Sequence, residues 1–325
     1  MKKNVIFHNK VSDALTPQNK FDQHNLPFTL NSTIGCLFGC AYCFLQGYPF
    51  YRFTDFGKEV KVKTWIPEKL DRELKKYRIL PQYLKRIQVN VATEGYLPSV
   101  MTKVKKELNR DIMKEVLDVF RKHWNNGNQW MVHLVTKSHM VRKHLDIIAG
   151  MRDQVQLEIT ITTLDEEKKK ILEGLAPTVK RRLDVVRQFS DAGVFVRIMC
   201  MPLLGTREDA NIIKSVGFDH GARAFKHKGV NYWNEDALLN GQTIRDGIRE
   251  DEVFEDVLFN SGEPVIENGH PKTMIVPMPV IIRTGKKKKS KRWRGFQSQH
   301  LANKEMIMEN FGYKDLNDIN WGYVI

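Results

Sequence analysis

Cys36, Cys40 and Cys43 stand in the run Gly35-Cys36-Leu37-Phe38-Gly39-Cys40-Ala41-Tyr42-Cys43-Phe44-Leu45-Gln46. Their spacing is Cys-x3-Cys-x2-Cys, directly after a strand-like segment, Phe28-Thr29-Leu30-Asn31-Ser32-Thr33. Three thiolates can hold three irons of a four-iron cluster and leave the fourth iron open to a small ligand. Zinc competes for the same residue type, but it usually takes four protein ligands in two close pairs. The remaining cysteine, Cys200, lies far away in a strand pattern with no second thiol beside it. Disulfides need an oxidising compartment, and Met1-Lys2-Lys3-Asn4 leads into polar sequence, not into an apolar signal core. A cluster on these thiols is the expectation; zinc or structural thiols are the alternative.

The chain has 325 residues, enough for one large domain or one domain plus an extension. No stretch is apolar enough for long enough to span a bilayer, so no membrane partner is expected. A reduced, cytoplasmic setting follows, and it suits an oxygen-sensitive cluster. The formal net charge of +14 favours a polyanionic partner, nucleic acid foremost. Much of the excess sits in Lys286-Lys287-Lys288-Lys289-Ser290-Lys291-Arg292-Trp293-Arg294, with Phe296 nearby. Phosphate contacts interleaved with stacking side chains have this composition; so does a solvated basic loop.

The elements that must position the cysteines alternate along the chain. Ile87 to Ala92, Trp130 to Val135, Val155 to Ile161 and Val194 to Cys200 read as strands, with Ala222 to Lys226 as a sixth after the first at Phe28. Between them, Asn109 reads as a helix N-cap ahead of Ile112, Val116, Val119, Phe120 and Trp124. Further helices are expected through Val141, Leu145 and Ile148, over Glu166 to Leu172, and over Thr178 to Ala192 with Gly193 at the stop. Strands alternating with helices predict parallel strands joined by right-handed crossovers.

The strand phase sharpens the prediction. Gln156, Glu158 and Thr160 alternate with Val155, Leu157 and Ile159, and Arg197 alternates with Val196 and Ile198. A strand covered by helices on both faces is apolar throughout. One polar face therefore predicts a barrel that is open or partly wet inside. A closed eight-stranded barrel fills its interior with branched apolar side chains. The βα pattern also fades near Gly229. The fold class is α/β, an incomplete (β/α)6 TIM-like barrel over residues 26–229. A segment 1–25 precedes it, and a C-terminal extension 230–325 follows, with a strand candidate at Met274 to Ile282 and the basic run at 286–294. That extension is expected to cap the barrel and help select the substrate.

In such barrels the site lies where strands end and loops begin. The cysteine loop follows the first strand, Thr93, Glu94 and Tyr96 the second, Lys137 and Ser138 the third. Thr160 and Thr162 end the fourth, and Arg197 lies on the fifth. A lone threonine or lysine at a strand end is usually structural, but so many on one rim define a candidate site. His133, in the polar phase of its strand, fits a structural hydrogen bond better than a ligand role.

These residues carry a resemblance. The cysteine cluster, with aromatics at Tyr42 and Phe44, resembles that of the radical S-adenosylmethionine (SAM) superfamily. Thr93-Glu94-Gly95-Tyr96-Leu97-Pro98, Thr136-Lys137-Ser138, Glu173 with Ala176-Pro177, and Arg182-Leu183 look like its spore photoproduct lyase branch, over roughly residues 26 to 225. The resemblance implies a [4Fe-4S] cluster held by Cys36, Cys40 and Cys43, and SAM on the open iron. It also implies an external one-electron reductant of the flavodoxin or ferredoxin type. Lys137 would meet the SAM carboxylate, Thr93 would bond near it, Thr160 or Thr162 would reach the ribose, and Phe44 would lie near the adenine. Glu94, Ser138 and Arg197 complete the expected cofactor-binding rim. The implied activity is reductive SAM cleavage to a 5′-deoxyadenosyl radical acting on a nucleic-acid base or nucleotide, in DNA repair or modification, as a lyase or a modifying enzyme.

One departure bears on the reaction. Spore photoproduct lyases carry a cysteine on the second-strand loop that returns a hydrogen atom to the product. Here that stretch is Asn90-Val91-Ala92-Thr93, without a thiol. Cys200 is a candidate replacement donor, though a buried packing cysteine has the same pattern; Tyr96 and Tyr48 are candidate relays. Two other functions remain open: radical SAM chemistry on a peptide or small metabolite, and a non-enzymatic basic nucleic-acid-binding protein with a structural metal.

Overall fold

The computed structural model describes residues 4–18, 20–21, 26–40, 42–43, 45, 57–203 and 207–227, with short strand segments between Val253 and Ile282. Phe44, Tyr48 and the basic run from Lys286 to Arg294 lie outside the described residues. Six strands follow chain order across one sheet: β1 (Phe28–Leu30), β2 (Arg86–Val89), β3 (Met131–Thr136), β4 (Val155–Thr160), β5 (Phe195–Cys200) and β6 (Ala224–His227). Each pairs in parallel with the next. The connecting helices are α1 (Ile66–Lys76), α2 (Pro98–Leu108), α3 (Ile112–Asn125), α4 (Leu145–Ala149), α5 (Glu166–Leu172), α6 (Val179–Asp191) and α7 (Arg207–Asp219). This is the incomplete (β/α)6 barrel that the alternation implied.

The flanks add what the sequence pattern did not. Thr16–Pro17 pairs antiparallel with β1. At the other edge Val253–Val257 pairs antiparallel with β6, and Thr273–Ile275 pairs with it in turn. The strand expected over Met274 to Ile282 is two short pieces, Thr273–Ile275 and Ile281–Ile282. Among the described residues no helix is long and apolar enough to cross a membrane.

Local chemistry explains the element ends. The expected strand to Ala92 stops at Val89 because Asn90 adopts φ 63, and asparagine is among the few residues that tolerate the left-handed region. Asn109 is not the N-cap of α3. It closes α2 with φ 52, and Asp111 caps α3 by accepting from the Lys114 amide. Both residues suit a helix boundary, and the short link between the helices hides which boundary each serves. The stretch from His139 to His144 opens as a 3-10 turn before α4. Asp165 and Thr178 cap α5 and α6 through their side chains. On α3, Ile112, Val116, Leu117 and Phe120 are buried.

Inside the barrel the polar face is buried and ion-paired. Glu158, Arg197 and His133 are fully buried, and Lys226 nearly so. The Glu158 carboxylate lies 3.1 Å from Arg197 Nη1 and 2.7 Å from Lys226 Nζ, with His133 Nδ1 at 3.4 Å. Burial alone would push Glu158 up, but Lys226, His133 and Arg197 outweigh it and hold the carboxyl well below its usual range. Charges so far from water persist only when paired, and here parallel register supplies the pairing, with Arg197 opposite Glu158.

Burial drives His133 the other way, from 6.5 down to about 3, against the pull of Glu158. The folded chain keeps this ring neutral, so as pH falls below 6.5 the unfolded chain takes up the proton first. Stability is therefore unaffected by His133 above that value and drains away between about 6.5 and about 3. Denaturant midpoints should show a loss of about 1 kcal/mol between about pH 7 and about pH 5.5 that His133→Gln removes. Parallel pH profiles for the two chains would count against a neutral buried ring.

Candidate active site

A cavity of about 220 Å3 opens at the C-terminal ends of β1 to β5. Cys36, Cys40 and Cys43 all line it, with Phe38, Tyr42 and Leu45 from the same loop. The rest of the lining is Asn90 to Glu94 after β2, Val135, Thr136 and Lys137 around the end of β3, Thr160 at the end of β4, and Met199, Met201 and Pro202 around the end of β5. The position is the one expected from barrel topology.

Backbone constraints fix the cysteine loop at its start and middle. Gly35 has φ 84, and a Cβ there would sit 2.8 Å from the Glu59 carbonyl oxygen. The Phe38 carbonyl accepts from the Leu175 amide at 3.0 Å. Gly174, with φ 50, brings the chain close: a Cβ there would overlap that same carbonyl oxygen. Thr93 Oγ1 donates to the Gly35 carbonyl at 2.7 Å and also contacts Thr33 Oγ1. Asn90 ties the base of the loop through Ser32, whose amide and hydroxyl reach Asn90 Oδ1 at 3.0 and 2.8 Å.

A buried carboxylate stands behind the loop. Glu173 accepts from the Tyr42 hydroxyl, from Thr162 Oγ1 at 2.7 Å and from Arg182 Nη2. Lys137 Nζ is 3.9 Å from Glu173 Oε1 and 5.2 Å from the Tyr42 ring centroid. Burial opposes ionisation of Glu173, yet Arg182 and Lys137 bring its carboxyl down to about 2. Arg182 also donates to the carbonyls of Pro177 and Thr160. The Glu173 carboxylate thus faces two cations beside the thiols.

The chemistry of the donors bears on which metal they suit. Burial pushes the Cys43 thiol up to about 12, and burial with neighbouring Cys40 and Glu94 lifts Cys36 well above its ordinary value. Cys40 is raised by burial and partly relieved by Lys137 and Arg182. Thiols raised in this way become thiolates when a metal supplies the compensating charge. Among the described residues no three histidine, cysteine or acidic side chains converge on one point as a single ion requires. A four-iron cluster asks for something else, one thiolate per iron spread around a space. Three cysteines around one cavity fit that demand.

The other rim residues divide. Thr93, Glu94, Lys137 and Thr160 line the cavity. Glu94 is nonetheless occupied: Oε1 accepts from Thr136 Oγ1 at 2.7 Å and the Tyr96 amide at 2.9 Å, and Oε2 from the Lys137 amide at 2.9 Å. It shapes the turn that presents Lys137. Ser138 is turned away, donating to the Tyr96 carbonyl and capping the next turn. Thr162 gives its hydroxyl to Glu173. Arg197 is committed to Glu158 inside the barrel. Tyr96 is fully buried beside His144, its ring centroid 5.5 Å from the imidazole. Cys200 is fully buried in the apolar core, and burial pushes its thiol far up. Ser138, Thr162, Arg197, Tyr96 and Cys200 are thus absent from the cavity wall, because strand phase or a buried partner points each elsewhere. Sequence reasoning assigned no role to Asn90, nor to Glu173 and Arg182 as a pair. The tolerance of asparagine for positive φ was a readable signal for the first; the other two required the fold.

The radical SAM superfamily model matches residues 30–216, more than half of the chain. The chain belongs to the radical SAM superfamily, whose chemistry implies a [4Fe-4S] cluster and SAM. An uncharacterised protein of Acidianus two-tailed virus is 27% identical over 230 residues, covering 65% of this chain and 71% of that one. An uncharacterised protein of Methanocaldococcus jannaschii is 21% identical over 204 residues, covering 62% and 69%. Among solved structures, spore photoproduct lyase complexed with dinucleoside spore photoproduct aligns with TM-score 0.46 and 13% identity, over 60% of this chain and 50% of that chain. Streptococcus suis SuiB aligns with TM-score 0.44 and 12% identity, over 71% and 40%.

Proposed function

We propose that this radical SAM enzyme acts on a nucleic-acid base or nucleotide, in repair or modification, in a reducing cytoplasmic setting. The observation that carries the site is the convergence of Cys36, Cys40, Cys43 and Lys137 on one cavity at the strand ends. The three thiols would hold the cluster. Lys137, presented by Glu94 and steadied by Glu173, would bind the SAM carboxylate as a charge-assisted contact. Thr160 would serve a ribose hydroxyl, and Thr93 the methionine end. When loaded, cluster and SAM supply the 5′-deoxyadenosyl radical; the chain supplies orientation and a wall that excludes water. Phe38, Leu45, Val135, Met199 and Met201 provide that apolar wall. An electron must come from an external carrier, of flavodoxin or ferredoxin type.

The net charge of +14 and the run Lys286 to Arg294 favour nucleic acid over a peptide or small metabolite. No cysteine besides the three of the loop lines the cavity among the described residues, which favours a reaction that needs no protein thiol as final hydrogen donor. The test replaces Lys286 to Lys289 and Arg292 with alanine. Binding to DNA or RNA should weaken, and the slope of log affinity against log salt should flatten by about 0.7 to 0.9 for each phosphate no longer neutralised. Unchanged binding and turnover would favour the peptide or metabolite reading. Zinc in place of iron in anaerobically prepared protein would support a non-enzymatic, structural metal site.

A further inference from the structure

We propose that Glu173 is a positioning residue for Lys137 and for the cysteine loop together, acting through the Tyr42 hydroxyl. The inference rests on the reading above, that the loop thiols hold the cluster and Lys137 meets SAM. Tyr42 lies between Cys40 and Cys43, so any tie on it constrains both flanking ligands. Its hydroxyl donates to Glu173 Oε1, the same oxygen that takes Thr162 Oγ1 and faces Lys137 Nζ at 3.9 Å. The other oxygen is taken by Arg182, which is itself buried and bonded to two backbone carbonyls. The carboxylate is therefore held from behind and cannot follow either group it holds in front. Lys137 in addition rests over the Tyr42 ring at 5.2 Å. A salt bridge needed for folding alone would be complete with Arg182. The contacts to Tyr42 and Lys137 instead join two strand-end loops, after β1 and after β3, that meet at the cavity. The distance from thiols to ammonium is set by one side chain.

Tyr42→Phe removes the tie and leaves the ring. In the cluster-free chain, alkylation of Cys40 and Cys43 by iodoacetamide, read by mass spectrometry, should quicken several-fold, with Cys200 as the unchanged internal reference. In the reconstituted protein, iron content should hold while the dissociation constant for SAM, read from the change it makes in the spectrum of the reduced cluster, rises about tenfold. The defining result is the double variant. Lys137→Met alone should weaken SAM binding strongly, and adding Tyr42→Phe should cost less than it does in the wild-type background, because it acts through Lys137. Thr162→Val, which strips the other hydroxyl from the same oxygen, should show the same coupling if Tyr42→Phe unfolds. Full additivity, or unchanged alkylation and SAM binding in Tyr42→Phe, overturns the proposal. Wild-type protein that takes up no iron would sink the underlying reading instead, and the proposal with it.

Discussion

Cys40→Ala is expected to abolish SAM cleavage and to leave anaerobically reconstituted protein without a stable four-iron cluster. The loop supplies one thiol per iron, so losing one leaves two irons without a protein ligand instead of one. Cys40 has no substitute nearby, since the remaining cysteine is buried in the core outside the cavity. Its backbone neighbourhood is pinned to the turn at Glu173 to Leu175, so the loop cannot slide another residue into place. Cys36→Ala and Cys43→Ala should behave alike. Cys200→Ala is the control: it should keep iron and cleavage and lose only the packing of a small buried side chain, about 1 kcal/mol. The measurements are iron per chain and 5′-deoxyadenosine released with dithionite. Substantial cleavage by Cys40→Ala would mean that the ligand set has been misread.

Glu158→Ala should be the most damaging single change to stability. It leaves Arg197 and Lys226 inside the barrel without the carboxylate that both touch. Removing one partner of a buried pair costs about 3–5 kcal/mol, because the surviving charge stays desolvated. In a chain of this size that corresponds to a fall in melting temperature of roughly 4 to 7 °C. Cys200 and His133 supply milder reference sites on the same sheet. A shift below about 2 °C would show that the barrel interior can carry these charges without Glu158.

Much of this architecture was written locally. The alternation of β-prone and helix-prone segments and the thiol spacing are short-range properties, and the alternation survives in the structure. Boundaries failed where two local signals overlapped, as at Asn109 and Asp111, or where one residue took an uncommon backbone conformation, as at Asn90. The polar phase of β4 and β5 was legible, but its meaning was not. Alternation says that a face is polar; only the register across strands says that Glu158 meets Arg197 and not water. The same limit governs the rim. Sequence placed Thr93, Lys137, Thr160, Thr162 and Arg197 near strand ends. Strand phase and buried partners then left Thr93, Lys137 and Thr160 at the cavity.

By itself the sequence determined the class: three thiols at fixed spacing, a barrel-like order of elements, and a large basic excess. Tertiary structure decided which polar groups face the cavity and which are spent on one another. Tyr42 and Glu173, which share a hydrogen bond, are separated by 131 positions in the chain. Contacts over such separations depend on how two loops meet across a folded sheet, and no local propensity encodes that meeting.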